Sequence, residues 1–255
     1  MKTKRSFMIV FALLFLVSAT LYGYETYTDL AGKAIGMESG TVWEQYITQN
    51  VKGNPVRVRS NAEGLAELRA GKIEGFMTDL SIVKDLANSN PDLKFLALPL
   101  SVFSCPMGAM GNQNNPAQMQ KFNAFLKKIK ADGTLADMQE RWLNHAVNAT
   151  TPMPTIANSG ENGTLTVATA IASPFVYKTE SGLKGYSIEL MLRFGADQGQ
   201  KIDFHEMEFK DLMPHVLKGN EGMAIANMSI TPIRLEMTLM SDSIYDDGAG
   251  ICVLK

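Results

Sequence analysis

Two groups of polar residues in this chain have the types and the spacing to hold a charged small molecule. The first is the run 228–234, in which the hydroxyl residues Ser229 and Thr231 precede Arg234. The run lies between an apolar, strand-like segment and a helix-like one. Its hydroxyls, its helix N-terminal amides and its guanidinium are therefore placed to bind a carboxylate. The second group centres on Asp79, an acid at the end of an apolar segment much earlier in the chain.

Both charged residues also have a purely structural interpretation. Asp79 is placed to cap the helix expected after it, and Arg234 could be a solvated residue in a first helical turn. A cation near a helix N-terminus opposes the helix dipole, however, and this conflict favours an anion close by. One cation and one anion presented by separate parts of the chain suit a zwitterion, so an amino acid is the first hypothesis for the ligand.

Two further residues are candidates for the same site. Thr41 stands three residues before Glu44, which predicts a capping box at a helix start, and the amides beside it could also contact a ligand carboxylate. Phe209 directly follows a predicted strand. It is placed either to stack on a ligand side chain or to fill the core, as most aromatic residues do.

The first residues of the chain predict export. A basic start, 1–5, precedes an apolar run, 7–19, that is too short to span a bilayer comfortably. Residues 1–23 are therefore interpreted as a cleavable signal peptide, with an uncleaved anchor as the alternative. No later stretch is apolar and long enough to cross a membrane, so a periplasmic location is expected.

Composition excludes several other classes of function. The formal net charge of -2 and the absence of basic clusters argue against nucleic acid as a partner. The three histidines have no metal-like spacing, so neither a metal nor a cofactor is expected. Cys105 and Cys252, the two cysteines, could form a disulfide in an oxidising compartment or remain as two thiols.

The elements needed to position these residues alternate between strand and helix in two halves of the chain. The pattern predicts an α/β protein with a lobe at 24–147 that carries Asp79, a linker at 148–163, a lobe at 164–248 that carries Arg234, and a strand at 249–255 that returns to the first lobe. Ligands of open α/β sheets bind at the carboxyl ends of strands. The predicted strands lie at 33–37, 56–59, 73–78, 93–98, 165–168, 202–207 and 223–228.

The ordered motifs resemble those of the polar-amino-acid-binding proteins of ABC importers, the solute-binding protein family 3 with the type II periplasmic binding fold. The resemblance rests on Ser-Ile-Thr-Pro-Ile-Arg at 229–234, Asp-Leu-Ala-Gly-Lys at 29–33, Gly-Thr at 40–41, Ala-Gly-Lys-Ile-Glu at 70–74 and Gly-Tyr-Ser-Ile-Glu at 185–189. It implies a two-lobed "Venus flytrap". In the usual family member, however, the lobe with the Ser-x-Thr-x-x-Arg motif comes first. The exchanged order implies a circular permutation, with a fragment of a tandem array or of a longer signalling protein as the competing explanation.

The resemblance also implies roles for individual residues. Arg234, Thr231 and Ser229 would bind the α-carboxylate, Asp79 the α-ammonium, Thr41 would add a contact from the other lobe, and Phe209 would pack on the ligand side chain. Glu38 and Asn227 would border the side-chain pocket, which favours a polar amino acid and leaves a cationic one open. Thr169 stands where the family often has an acid.

The resemblance implies an L-amino-acid-binding protein, expected to be monomeric, that delivers its ligand to an ABC permease in the inner membrane. The alternatives are a sensing domain of a signalling protein and an enzyme similar to the secreted dehydratases of cyclohexadienyl acids. Dehydration needs a general acid beside the ligand, and Glu38 is the only candidate, so a binding function without catalysis is expected.

Overall fold

The computed structural model describes residues 23–101, 103–144, 150–219 and 221–255, so that the expected signal peptide lies, apart from residue 23, outside the described residues. The described part of the chain forms two α/β lobes, each built on a five-stranded sheet. We call residues 23–101 with 249–255 the Asp79 lobe, and residues 108–144 with 150–244 the Arg234 lobe. No helix within these ranges is long and apolar enough to cross a membrane.

Fourteen strands and eight α-helices make up the described structure. The strands are β1 (Ala34–Glu38), β2 (Asn54–Val58), β3 (Gly75–Asp79), β4 (Leu93–Ala97), β5 (Cys105–Met107), β6 (Met110–Gly111), β7 (Thr164–Thr169), β8 (Tyr177–Thr179), β9 (Gly182–Lys184), β10 (Lys201–Glu206), β11 (Met223–Ala224), β12 (Leu239–Met240), β13 (Tyr245–Asp247) and β14 (Ala249–Leu254). The helices are α1 (Trp43–Tyr46), α2 (Asn61–Arg69), α3 (Leu80–Ser89), α4 (Pro116–Ala131), α5 (Thr134–Gln139), α6 (Tyr186–Gln198), α7 (Phe209–Leu217) and α8 (Pro232–Met237). Short π-helical turns follow α1 (Ile47–Val51) and α5 (Glu140–Asn144).

The sheet of the Asp79 lobe has the strand order β2-β1-β3-β14-β4. β1 runs parallel to both β2 and β3, whereas β14 lies antiparallel between β3 and β4. Every residue of β3 is buried, as expected for a strand covered on both faces, and this accounts for its apolar sequence. Because β1 and β3 are parallel neighbours, their carboxyl ends bring Glu38 and Asp79 to the same edge of the sheet.

The sheet of the Arg234 lobe has the order β10-β7-β11-β6-β12. β10, β7 and β11 are parallel, and β6 from the earlier part of the chain is inserted antiparallel between β11 and β12. β11 contains two residues, although the sequence predicted a strand over 223–228. Beyond Ala224 the backbone continues as an irregular, buried segment towards Ser229.

The expected extent of the first lobe, 24–147, is wrong for residues 108–144, because this segment packs on the Arg234 lobe. The rings of Phe122 and Phe125 in α4 lie 5.0 and 5.5 Å from the ring of Phe194 in α6. Lys128 also pairs with Asp197, their charged atoms 2.5 Å apart. An amphipathic pattern shows that a helix buries one face, but it does not identify the sheet that covers that face.

Two short strands, β5 and β13, connect the lobes. They pair antiparallel, with Tyr245 opposite Met107 and Asp247 opposite Cys105. One carries the chain from the Asp79 lobe into β6, and the other returns it to β14. A paired double crossing of this kind restricts relative motion of the lobes to bending about the two strands.

The expected linker, 148–163, is described from residue 150 onwards and runs along the Arg234 lobe. Lys184 donates a hydrogen bond to the carbonyl oxygen of Thr151 (2.6 Å), and Asn158 donates one to that of Gln200 (2.5 Å). The segment therefore joins two parts of one lobe, the turn after α5 and β7.

Cys252 is a free thiol buried in β14. Burial raises its pKa to about 12, so the thiol stays protonated and unreactive at neutral pH. The sequence left open whether Cys252 forms a disulfide or remains a thiol, and in the structure it is a thiol.

Candidate functional site

Asp79 ends β3 and faces the other lobe with a buried carboxylate that is only 1% exposed. Asn227 of the Arg234 lobe donates a hydrogen bond to its Oδ2 (2.5 Å). The other oxygen, Oδ1, has no hydrogen-bond partner among the described residues, and neither has Oδ1 of Asn227. Asp79 occupies the N-cap position of α3, but its side chain makes no capping hydrogen bond. The capping interpretation therefore explains its backbone position and not its carboxylate.

A second buried acid lies close to Asp79 and disfavours its ionisation. Burial and the nearby carboxylate of Asp247 raise the pKa of Asp79 well above its usual range, while the hydrogen bond from Asn227 and the positive charge of Arg234 act in the opposite direction. Asp247 accepts hydrogen bonds from the hydroxyl (2.5 Å) and the amide (3.3 Å) of Ser81. A cation placed against Asp79 would favour its ionised form.

Arg234 lies in the first turn of α8 and is 8% exposed. Its Nη1 donates to the carbonyl oxygen of Ser229 (2.7 Å), and its Nη2 donates across the lobe boundary to the carbonyl oxygen of Gly40 (3.2 Å). The guanidinium carbon is 5.6 Å from the centroid of the Phe209 ring, a cation–π distance. The cation is thus oriented by groups of both lobes.

The run that carries Arg234 is anchored to the crossing strand β5. The amide of Ile230 donates to the carbonyl oxygen of Pro106 (2.7 Å), and Ser229 forms an isolated β-bridge with Met107. Thr231 is the N-cap of α8, and its Oγ1 accepts a hydrogen bond from the Arg234 amide (3.3 Å). This geometry fits the predicted strand-to-helix turn.

The capping box predicted for Thr41 is wrong. α1 begins after Val42, which makes no side-chain cap, and the Thr41 hydroxyl donates to the carbonyl oxygen of Glu38 (2.6 Å). Glu44 instead forms an ion pair with Arg57 (2.6 Å). The positive φ of Gly40, 85°, turns the chain so that Thr41 lies one residue too early to cap.

A groove of about 820 Å³ opens between the lobes beside Arg234. Both Thr41 and Thr231 line it together with Arg234. The predicted site residues therefore form two sets. Three lie on the groove, whereas five are buried residues outside its lining: Asp79, Asn227, Phe209, Glu38 and Ser229.

Glu38 is a buried acid at the carboxyl end of β1, 7% exposed. Burial and, to a smaller extent, the negative charge of Glu208 raise its pKa to about 8. Sequence reasoning selected Glu38 but missed Glu208 and Asp247. The acid directly before Phe209 was the available signal for Glu208, whereas Asp247 contacts Ser81 from far along the chain.

The comparison with protein families identifies the second half of the chain. Residues 165–255 match the model of the bacterial extracellular solute-binding proteins, family 3. This segment is therefore similar to the family 3 solute-binding proteins. It contains Phe209, Asn227, Ser229, Thr231 and Arg234, the residues that the Arg234 lobe brings to the boundary between the lobes.

Curated relatives are similar over part of the chain. ABC transporter arginine-binding protein 1 of Escherichia coli K12 is 32% identical over 123 residues, which cover 47% of this chain and 51% of the relative. The L-cystine-binding protein TcyJ of the same strain is 30% identical over 120 residues, covering 46% and 44%. The chain thus spans about half the length of the curated relatives it matches.

Among solved structures, the ancestral amino acid-binding protein AncCDT-1, a precursor of cyclohexadienyl dehydratase, aligns over 87% of this chain and 80% of its own, with 9% identity and a TM-score of 0.46. The GluR0 ligand-binding core in complex with L-glutamate aligns over 88% and 85%, with 10% identity and a TM-score of 0.43.

Proposed function

We propose that this protein captures an L-amino acid with a polar side chain between its two lobes, outside the cytoplasm, and delivers it to an ABC importer. One observation carries the proposal. Two oppositely charged and buried side chains, Asp79 and Arg234, come from different lobes to the same boundary, and one oxygen of Asp79 lacks a hydrogen-bond partner among the described residues. A zwitterion supplies the matching charges for both.

In this mechanism the ligand replaces contacts that the lobes make with each other. The α-carboxylate accepts hydrogen bonds from the guanidinium of Arg234. In the structure, one of these N–H groups donates to the carbonyl oxygen of Gly40 across the boundary. The α-ammonium donates to Asp79 in place of Asn227. Closure without a ligand leaves the carboxylate of Asp79 buried and incompletely paired, so the closed form is favoured when the amino acid is present.

The remaining site residues would position the ligand. Thr41 and Thr231 lie on the groove and offer polar groups near the carboxylate, while the Phe209 ring holds the guanidinium of Arg234 from one side. Ser229 fixes the same guanidinium through its carbonyl oxygen. Glu38 and Asn227 would border the ligand side chain.

We further propose that delivery involves an ABC permease, because the similar curated proteins include an ABC transporter arginine-binding protein. The protein would act as a monomer in the periplasm after removal of residues 1–23. It would bind its ligand without transforming it. Incubation of the protein with the bound amino acid, followed by chromatography of the recovered ligand, would return it unchanged.

A thermal-shift screen against the twenty L-amino acids tests this function. We expect one or a few of them to raise the melting temperature through mass action, and Asp79→Asn and Arg234→Met to abolish the shift. Arg57→Met and Asp203→Asn, which change residues of the same types at exposed positions, should preserve it. A chain that responds to none of the amino acids, or whose response survives in both site variants, would contradict the proposal.

We also propose that the order of the lobes is exchanged by circular permutation. The structure supports this because residues on both sides of the exchanged junction lie against the same segment. Glu25 forms an ion pair with Lys94 (3.1 Å), and the amide of Lys255 donates to the carbonyl oxygen of Asp92 (3.0 Å). Segments that are close together at a surface can be joined in one order of the lobes and separated in the other.

A further inference from the structure

Two acidic residues lie on opposite sides of the boundary between the lobes, close enough to interact electrostatically, beside the proposed amino-acid site. Glu38 ends β1 in the Asp79 lobe, and Glu208 precedes α7 in the Arg234 lobe. Their segments approach closely, since a Cβ atom added at Gly40 would lie 3.0 Å from the Cα of Lys210. The negative charge of Glu208 adds to burial in raising the pKa of Glu38.

The carboxyl group of Glu38 is buried without a compensating partner. Its residue is 7% exposed, and the described part of the chain contributes neither a hydrogen bond nor an ion pair to its carboxyl oxygens. Glu208 is paired with its neighbour Lys210 (2.5 Å), both being partly exposed. A buried acid that faces a like charge and has no cation of its own is costly to ionise unless a ligand supplies one.

The two acids flank the groups that would hold the α-carboxylate and α-ammonium. Glu208 directly precedes Phe209, whose ring lies against Arg234, and Glu38 shares a sheet edge with Asp79. A ligand bound by Arg234 and Asp79 would therefore extend its side chain towards this pair.

Thr169 does not provide an alternative site for a cation. The resembling family often has an acid at this position, but Thr169 is fully buried and its hydroxyl donates to the carbonyl oxygen of Ile225 (2.7 Å).

We infer that the bound amino acid has a cationic side chain, and that Glu38, with Glu208 opposite, binds that cation. This inference rests on the proposed function and specifies the class of its ligand. The side-chain ammonium or guanidinium would donate to the carboxylate of Glu38 and separate it from Glu208. A neutral amino acid would leave two acids facing each other with no cation between them.

Binding should then release a proton. Glu38 is largely protonated at neutral pH, because burial and the charge of Glu208 raise its pKa to about 8, and a cation beside it would lower that pKa. The other charges of this region are already paired, Lys210 with Glu208 and Arg59 with Glu63. The α-ammonium is common to every amino acid, so Asp79 would release the same number of protons with each of them. The difference in proton release between cationic and neutral ligands therefore reports on Glu38.

Isothermal titration calorimetry of the wild-type protein with L-arginine and with L-citrulline tests this inference. Citrulline has almost the same shape as arginine but carries no side-chain charge. We expect arginine to bind about tenfold to a hundredfold more tightly, the range typical of a hydrogen bond to a charged group. Titrations in two buffers of different ionisation enthalpy should show more protons released with arginine than with citrulline.

The variant Glu38→Gln should remove both differences. Arginine should then bind about as weakly as citrulline, and its additional proton release should disappear. Glu180→Gln, at an exposed position in the turn between β8 and β9, serves as the control and should behave as the wild type. Thermal unfolding of each variant establishes that it is folded.

Three outcomes would overturn the inference. If neutral amino acids bind as tightly as arginine, and this binding is lost in Asp79→Asn, the proposed function holds and the cationic specificity is wrong. The same conclusion follows if arginine binds Glu38→Gln with unchanged affinity. If no amino acid binds the folded wild-type protein at all, the proposed function fails and this inference fails with it.

Discussion

At the scale of single residues, Gly40 controls how closely the lobes approach. Its φ of +85° is left-handed, its carbonyl oxygen accepts from Arg234, and a Cβ atom there would press on the backbone of Lys210. Glycine is therefore needed at this position both for its conformation and for the space it leaves.

We expect Gly40→Ala to weaken ligand binding by on the order of tenfold or more, because closure would then strain the backbone or separate the lobes. Gly71→Ala is a matched control, since Gly71 also has a positive φ (69°) but nothing within 4 Å of its added Cβ. It should cost stability and leave affinity unchanged. Calorimetric affinities that fall equally in the two variants would show that the contact with Lys210 has no role in binding.

The buried acid Glu38 predicts an unusual dependence of stability on pH. Its pKa is about 8 in the folded protein and near 4.5 in the unfolded chain, so the folded state binds more protons between these values. The contribution of this group to the free energy of unfolding therefore falls as the pH rises from about 4.5 to 8.

Glu38→Gln should remove this fall. The free energy of unfolding of the variant, relative to wild type, should rise by on the order of 5 kcal/mol between acidic and alkaline conditions, as expected for a pKa raised from 4.5 to about 8. Urea unfolding of the ligand-free proteins across the pH range measures the difference. Parallel pH profiles would mean that Glu38 ionises normally in the folded protein.

Sequence reasoning found the charged residues of the candidate site because their chemistry is local. A carboxylate at the end of a buried strand and an arginine after a strand-to-helix turn are visible in short motifs, and the structure places both at the lobe boundary. Their roles towards a ligand remain predictions. The hydrogen bond between Ser81 and Asp247 and the proximity of Glu208 to Glu38 involve distant parts of the chain, so no local pattern indicates them.

At the level of secondary-structure elements, Glu189 of α6 links this helix to the π-helical turn that follows α5. Its fully buried carboxylate accepts hydrogen bonds from Arg141 (2.7 Å), Trp142 (2.7 Å) and Arg193 (2.8 Å). Removing one partner of such a buried cluster leaves charges without compensation.

We expect Glu189→Ala to lower the free energy of unfolding by about 3–5 kcal/mol. Glu67→Ala, which removes an ion pair with Lys72 (2.8 Å) at the surface, should cost no more than about 1 kcal/mol. Chemical denaturation of both variants provides the comparison. A loss for Glu189→Ala no larger than that of the control would show that the cluster does not hold α5 in place.

Most elements could be predicted from the period of apolar residues, but their partners could not. The strands from β1 to β4 lie within a few residues of their predicted positions. The segment of α4 and α5 was predicted to belong to the first lobe, yet both helices pack on the other lobe, because β6 carries the chain across. A two-residue strand such as β6 is too short to leave a periodic signal.

At the scale of the whole molecule, the proposed permutation predicts that the order of the lobes is interchangeable. We expect a rearranged chain, which begins at residue 164, joins residue 255 to residue 24 through a short flexible linker and ends at residue 144, to fold and to bind the same amino acid. Glu25 and Lys255 already contact neighbouring parts of one sheet edge, so the new connection is short. Circular dichroism and calorimetry would detect a rearranged chain that is unfolded or inactive, contrary to this expectation.

We propose that one amino acid joins Asp79 of one lobe to Arg234 of the other. The most direct measurement is a crystal structure of the protein with the amino acid that stabilises it most. We predict the α-ammonium at about 3 Å from a carboxylate oxygen of Asp79 and the α-carboxylate at a similar distance from the guanidinium of Arg234. A ligand bound elsewhere, in contact with neither side chain, would contradict the account.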